Sequence, residues 1–180
     1  MLETEAAMQK AVEAARRSFS GVRTGRANPA LVEKIQIEYY GAIMPLKQLA
    51  SIAVPESRQL LITPFDRSSV PAIEKAIMAS DLGITPQTGS DSIRIVLPML
   101  TEDRRRDLIK VIKHYAEDSK VSIRNARHAA IDRIKKQEKD KEITEDDGVI
   151  LHEKIQKLTD KYNHEIDEAL KHKEIEIMEE

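Results

Sequence analysis

The stretch that decides the fold is residues 101–142, which read TEDRRRDLIKVIKHYAEDSKVSIRNARHAAIDRIKKQEKDKE. It contains neither Gly nor Pro, and it opens on Thr101, a favourable N-cap, followed by two acids where the helix dipole favours negative charge. Apolar or small residues recur along it in steps of three and four, at Leu108, Ile112, Ala116, Ser119, Ile123, Ala126, Ala130 and Ile134. This spacing predicts one amphipathic helix, about 60 Å long. Other helices of the chain must then pack along it to cover its apolar seam.

Two further segments carry seams with the same spacing. Residues 2–24 place Met8, Val12, Ala15, Phe19 and Val22 on one face, and the Gly and Pro that follow predict the end of that helix. Beyond the long helix, Thr144 and an acid three residues later form an approximate capping box for a third helix. The seam of this third helix is Leu151, Ile155, Leu158, Tyr162, Ile166 and Ala169. Three matching seams predict a three-helix bundle.

The chain between the first two helices has a different character. All seven Pro and five of the six Gly lie between Gly21 and Pro98. Alternating or β-branched runs predict strands at 34–39, 51–54, 59–63 and 92–97, with a turn at Tyr40-Gly41 and a short helix at 70–78. The predicted fold class is therefore α+β. An elongated three-helix bundle, made of residues 1–26 and 99–180, carries an inserted β/α/β domain, residues 27–98.

Two chain crossings join these predicted domains. One lies near Arg26, Ala27 and Asn28, and the other near Leu97, Pro98 and Met99. Paired crossings side by side predict a hinge.

The composition excludes several classes of protein. A net charge of −2 gives no global positive field, so any contact with RNA or DNA must come from a local patch. The chain has no Cys, which excludes disulfides and is compatible with a reducing compartment. No apolar run approaches the roughly 20 residues of a membrane span, so no membrane partner is expected. No GxSxG segment or compact metal-ligand spacing occurs, and the five His are scattered. Gly21–Arg26 lacks the GK[ST] of a phosphate-binding loop. The sequence predicts no enzyme.

Cations on the long helix allow two interpretations. Lys113, Lys120 and Arg127 follow one another in steps of seven, and Arg124 lies on the same side. Arg104 and Arg105 add charge at the start of the helix. One interpretation is a solvated face with pairs inside the helix. The other is an edge that binds nucleic-acid phosphates, with little base stacking because aromatic residues are few.

Seven blocks of sequence resemble one family, the bacterial and organellar ribosome recycling factors. They are RTGRANPA from Arg23, EYYG from Glu38, PLKQLA from Pro45, AIEKAIMASDLG from Ala72, LTEDRRRDL from Leu100, VSIRNAR from Val121 and QKLTD from Gln156. The resemblance spans nearly the whole chain, in order and with matching spacing. It implies an L-shaped, two-domain, non-enzymatic protein.

The resemblance also implies partners and site residues. The family binds the post-termination ribosome through 23S rRNA of the 50S subunit, and it splits the ribosome together with elongation factor G. That partner hydrolyses the GTP, so no cofactor is expected for this chain. The important Arg of the family falls on Arg127, with Arg124 beside it, and the two crossings map to the hinge. A monomer is expected, in the cytoplasm or in an organelle stroma or matrix.

The sequence departs from the family pattern at two positions. His128 and Met99 stand where the family often has Arg and Pro. The alternative of another class is a helical scaffold or chaperone-like module that binds proteins without the ribosome.

Overall fold

The computed structural model describes residues 1–179. Within it the chain forms two compact units. Residues 1–23 and 102–179 form the first, called here the helical unit, and residues 24–101 form the second, called here the insert unit. The helical unit contains α1 (Leu2–Gly21), α4 (Glu102–Lys139) and α5 (Glu145–Met178). The α+β class and the three-helix bundle with an inserted β/α/β unit are confirmed.

The seam predicted for α4 is the face that the bundle buries. Seven of its eight positions are buried, and Ala126 is half-buried. On α5 the buried set includes Ile155, Tyr162 and Ile166. The bonds between helices show that α4 runs antiparallel to the other two, because Arg133 near its end meets Glu3 at the start of α1. Burial of the three seams against one another is what holds the bundle together.

The start of α5 has the capping box that the sequence predicts. The Thr144 hydroxyl accepts a hydrogen bond from the Asp147 backbone N–H at 3.1 Å, and the Thr144 N–H donates to the Asp147 carboxylate at 3.1 Å. Both bonds satisfy groups that a helix start leaves without partners.

The first helix ends earlier than predicted. α1 stops at Gly21, not near residue 24, because Val22 takes an extended conformation while its N–H bonds the Phe19 carbonyl. Val22 still buries its side chain, as the seam requires.

The insert unit is a four-stranded antiparallel sheet in the order β3-β4-β6-β5, with a separate β1–β2 hairpin. Its elements are β1 (Gln36–Tyr39), β2 (Ala42–Pro45), α2 (Leu46–Leu49), β3 (Ala50–Glu56), β4 (Gln59–Pro64), α3 (Val70–Ala79), β5 (Gln87–Thr88) and β6 (Ile93–Val96). One apolar core joins the hairpin, sheet and α3 through Ile37, Leu60, Ile73, Ile77 and Ile95.

Sequence reasoning missed three of these elements and misplaced a break. β2, α2 and β5 were not predicted. β3 continues through Pro55, with an irregular register between Ala53 and Glu56, where the sequence predicted a separation. The turn at Tyr40-Gly41 is confirmed: both residues have positive φ, which suits a two-residue hairpin turn.

The crossings predicted for the hinge lie inside the insert unit. Ala27 N–H bonds the Ser57 carbonyl at 2.7 Å, and Leu97 N–H bonds the Arg58 carbonyl at 2.8 Å. The units consequently divide after Arg23 and after Thr101, three residues outside the predicted boundaries on each side. Among the residues described, no helix is both long and apolar enough to cross a membrane.

Candidate nucleic-acid interface

Two ion pairs join α4 to α5 along one edge. Lys113 Nζ lies 3.6 Å from Glu174 Oε1, and Lys120 Nζ lies 2.5 Å from Asp167 Oδ1. The cations step forward by seven along α4 while the acids step back by seven along α5, as antiparallel neighbours must. We call this edge the α4–α5 flank. It holds Lys113, Lys120 and Arg127 on α4, and Asp160, Asp167 and Glu174 on α5.

Arg127 is the next cation on the flank, and it forms no ion pair with a carboxylate. The same steps of seven set Asp160 opposite Arg127, but Asp160 accepts a hydrogen bond from Gln156 Nε2 at 2.9 Å instead. Arg127 is half-buried, and within residues 1–179 its guanidinium takes part in no hydrogen bond or ion pair. It is therefore a fixed cation whose five N–H donors are available to an outside acceptor.

Arg124 lies on the solvent side of the same edge. Its Nη2 atom contacts Glu117 Oε1 at 2.5 Å, seven residues back along α4, and its side chain stays 56% exposed. Arg124 and Arg127 are thus neither deep in the bundle nor both paired with acids. Arg124 has a partner on its own helix that an exposed phosphate could displace.

The two arginines at the start of α4 are placed differently from one another. At 100° per residue, Arg104 lies about 160° round the helix from Lys120, away from the α4–α5 flank. Arg105 is half-buried, and both Arg104 and Arg105 have other interactions. The structure therefore brings together Lys113, Lys120, Arg124 and Arg127, but not Arg104.

Two cations at the other helix interfaces are paired. Arg133 Nη1 meets Glu3 Oε2 of α1 at 2.6 Å, and Arg16 Nη2 meets Glu165 Oε2 of α5 at 3.5 Å. Arg133 is the natural comparison for Arg127, because both lie on α4 and only Arg133 forms an ion pair with an acid of another helix. His128, next to Arg127, is exposed.

The insert unit presents a different kind of surface. Tyr40, Ile43 and Phe65 are exposed by 83%, 71% and 73%. Tyr39 donates a hydrogen bond to Asp66 at 2.5 Å, which ties the β1–β2 hairpin to the loop before α3. This bond raises the pKa of Tyr39 and lowers the pKa of Asp66 from its ordinary value of 3.8.

Charge on the insert unit is balanced. Its cations are Arg26, Lys34, Lys47, Arg58, Arg67, Lys75 and Arg94, and its anions are Glu33, Glu38, Glu56, Asp66, Glu74, Asp81 and Asp91. A neutral surface with exposed aromatic side chains suits a protein partner better than a phosphate backbone. Sequence reasoning did not single out Tyr40, Ile43 and Phe65 as a binding surface, although two neighbouring Tyr beside a Gly turn were a visible signal.

No arrangement for metal chemistry is found in the part of the chain that the structure describes. Within residues 1–179, no three His, Cys, Asp or Glu side chains are grouped so that they could hold a metal ion.

The fold and this site define a class: an elongated helical bundle that carries a neutral inserted β/α/β unit and leaves one arginine open on its flank. The family model described as ribosome recycling factor matches residues 15–178. The chain belongs to the ribosome recycling factor family.

Relatives and solved structures agree over nearly the full length. The ribosome-recycling factor of Bacillus licheniformis is 53% identical over 179 residues, which covers 99% of this chain and 97% of that protein. That of Halalkalibacterium halodurans is 54% identical over 177 residues, covering 98% and 96%. A solution structure of the ribosome recycling factor is similar with a TM-score of 0.72 and 45% identity, covering 98% of this chain and 94% of the other.

A second solved structure places a relative on its target. It contains models of the Thermus thermophilus ribosome recycling factor and Escherichia coli elongation factor G bound to the E. coli post-termination complex. The similarity has a TM-score of 0.62 and 42% identity, covering 98% of this chain and 96% of the other.

Proposed function

We propose that this chain binds the post-termination ribosome and, together with elongation factor G and GTP, splits it into subunits and releases it from mRNA. Membership of the family and the relative bound to the post-termination complex with elongation factor G support this function. Nothing in the fold favours the alternative of a scaffold or chaperone-like module that works without the ribosome.

The chemistry of splitting belongs to the partner in this proposal. Elongation factor G hydrolyses the GTP, and this chain acts as a monomer without catalytic residues or a cofactor. It works where ribosomes are, in the cytoplasm or in an organelle stroma or matrix. Its contributions are a stiff bundle, a contact to rRNA and a second unit that the partner can push.

The observation that carries the rRNA contact is the unpaired Arg127 on the α4–α5 flank. Lys113 and Lys120, in the same row, are already paired with carboxylates of α5. A phosphate must therefore compete with those carboxylates for the two lysines. Arg127 has no such competitor in place, and a guanidinium binds a phosphate with two parallel hydrogen bonds. Arg127 is therefore the main contact to 23S rRNA of the 50S subunit, with Arg124, Lys120 and Lys113 beside it. Arg104 and Arg105 supply longer-range charge at the end of α4.

The movable part is proposed to be the insert unit. The segments near Gly25 and Leu100 run close together, since a Cβ on Gly25 would lie 3.5 Å from the Leu100 side chain. Ala27 and Leu97 bond the insert unit's own backbone, and Arg26, Asn28 and Pro98 adjoin them in the chain. We therefore place the flexible points of the hinge just outside these residues, at 22–24 and 99–101.

Replacing Arg127 with alanine tests the rRNA contact. Arg127→Ala should weaken binding to purified 50S subunits at least about tenfold, because a charge-assisted hydrogen bond contributes about 1.5–3 kcal/mol. The slope of log affinity against log salt should fall by about one, since about one counterion fewer is released. Filter binding or cosedimentation across a salt series measures both.

Arg133→Ala is the matched control for this experiment. It removes an exposed arginine from the same helix together with its bond to Glu3, and affinity for 50S subunits should stay unchanged. Lys113→Ala should give a smaller loss than Arg127→Ala. Circular dichroism should show equal helix content in all variants. Wild-type affinity in folded Arg127→Ala would refute the contact.

A further inference from the structure

The QKLTD block on α5, residues 156–160, has been given no function so far. Thr159 within it is buried, and its hydroxyl donates to the Ile155 carbonyl at 2.8 Å. Gln156 and Asp160, at the ends of the block, are both exposed and lie one turn apart. Gln156 Nε2 donates to Asp160 Oδ1 at 2.9 Å. This pair is the feature that requires an explanation.

Asp160 is the natural partner of Arg127 on the α4–α5 flank. The two preceding steps place Lys113 against Glu174 and Lys120 against Asp167, and both of those pairs are formed. The third step places Arg127 against Asp160 by the same register. A carboxylate there would compete with an rRNA phosphate for the same guanidinium.

A second acceptor on α5 strengthens that competition. Asn163, one turn beyond Asp160, has a buried Oδ1 atom with no hydrogen-bond partner. A guanidinium turned toward α5 has enough donors for a carboxylate and an amide oxygen together. Asp160 and Asn163 therefore define a candidate docked position for Arg127 on α5, which Arg127 does not occupy in this structure.

We propose that Gln156 is a positioning residue that holds the Asp160 carboxylate along α5 through its Oδ1 atom and so leaves Arg127 open to bind rRNA. A hydrogen bond between an amide and a carboxylate one turn apart on a helix and an exposed ion pair are of similar, small strength. Without the Gln156 amide, the Asp160 carboxylate is free to turn toward Arg127, and we expect the docked position of Arg127 to gain population. This inference rests on the proposed rRNA contact of Arg127.

The test is a double-mutant cycle of Gln156→Ala and Asp160→Asn, measured as affinity for purified 50S subunits at fixed salt. Gln156→Ala should weaken binding two- to threefold, because Asp160 then pairs with Arg127. Adding Asp160→Asn should restore wild-type affinity. The gain from Asp160→Asn should be larger in the Gln156→Ala background than in the wild type. Equal gains would reflect only the removal of one negative charge, and they would overturn the proposal.

A readout that needs no ribosome follows the docked state itself. In the free protein, the Nε–H signal of Arg127 in NMR spectra should shift and exchange more slowly with water in Gln156→Ala. It should return to the wild-type position in the double variant. An Arg127 signal identical in all four proteins would overturn the positioning role.

The two readouts separate this inference from the rRNA contact. If Arg127→Ala binds 50S subunits like the wild type, the contact fails, whereas a shifted Arg127 signal in Gln156→Ala would still support the pairing. If Arg127→Ala weakens binding and Gln156→Ala changes neither readout, only the positioning role fails.

Discussion

At two glycines, an added side chain would meet different physical obstacles. Gly148 lies in the first turn of α5, and a Cβ there would meet Glu138 Oε1 at 1.6 Å. That atom is the far end of a flexible side chain, which can turn away. Gly41 lies in the hairpin turn with φ of 78° and has open space around it, so only its backbone conformation resists a side chain.

Alanine at these two positions should change stability in opposite directions. Gly148→Ala should raise the free energy of unfolding by up to about 1 kcal/mol, because alanine is the better helix former and Glu138 can move. Gly41→Ala should lower it by about 1–2 kcal/mol, because a Cβ disfavours left-handed backbone. Urea unfolding followed by circular dichroism measures both. A destabilised Gly148→Ala would mean that Glu138 is held in place.

At the scale of elements, the capping box of α5 couples stability to pH. The Thr144 hydroxyl and then its backbone N–H hold the pKa of Asp147 below its ordinary value of 3.8. A lowered pKa in the folded state stabilises the fold above the unfolded pKa, and this contribution disappears as pH falls through the folded pKa. The α5 cap is therefore intact at neutral pH and weakens in acid.

Thr144→Ala should destabilise the protein by about 1 kcal/mol at neutral pH, through loss of the N-cap. The difference from the wild type should shrink as the pH falls below about 4, because Asp147 becomes protonated first in the variant and, at lower pH, in the wild type as well. Denaturant unfolding at several pH values measures this. Ser122→Ala, an exposed helix-interior hydroxyl, is the control and should show no such pH dependence. A difference that stays constant with pH would contradict the cap.

The helices could be predicted from the sequence because their seams repeat with the period of a helix. β2 could not, because Ala42–Pro45 shows no alternation and is a strand by virtue of its pairing with β1 across the turn at Tyr40 and Gly41. β5 could not be predicted either, because it consists of two polar residues, Gln87 and Thr88, and only their pairing with β6 makes them a strand.

Only part of the candidate interface could be predicted from the sequence. Steps of seven along α4 predicted the row of Lys113, Lys120 and Arg127. The acids opposite them depend on the register between α4 and α5, which no local pattern contains. That register pairs Lys113 and Lys120 with carboxylates and sets Asp160 opposite Arg127, but Asp160 accepts a hydrogen bond from Gln156 instead.

At the scale of the whole molecule, the two units differ in surface chemistry. The helical unit carries the row of cations with one open arginine, whereas the insert unit balances its charges and exposes aromatic side chains. Each unit also has buried apolar residues of its own, such as Met8, Ile112 and Ile166 in the first and Leu60 and Ile73 in the second. The proposed rRNA contact and the proposed response to the partner protein therefore fall on separate units.

Excising the insert unit tests that division. Because Arg133 meets Glu3, Gly21 lies level with about residue 115, and the start of α4 is about 13 residues, or about 20 Å, further along the bundle. A flexible Gly/Ser linker of about 12 residues has a matching average span and can replace residues 24–101.

The shortened protein should remain helical and bind 50S subunits with an affinity that still depends on Arg127. It should fail to split post-termination ribosomes with elongation factor G and GTP, because the unit proposed to move in response to the partner is gone. Arg127→Ala in the shortened protein is the control for specific binding. Splitting at the full-length rate would show that the insert unit is dispensable, and loss of 50S binding would place part of the rRNA contact in the insert unit.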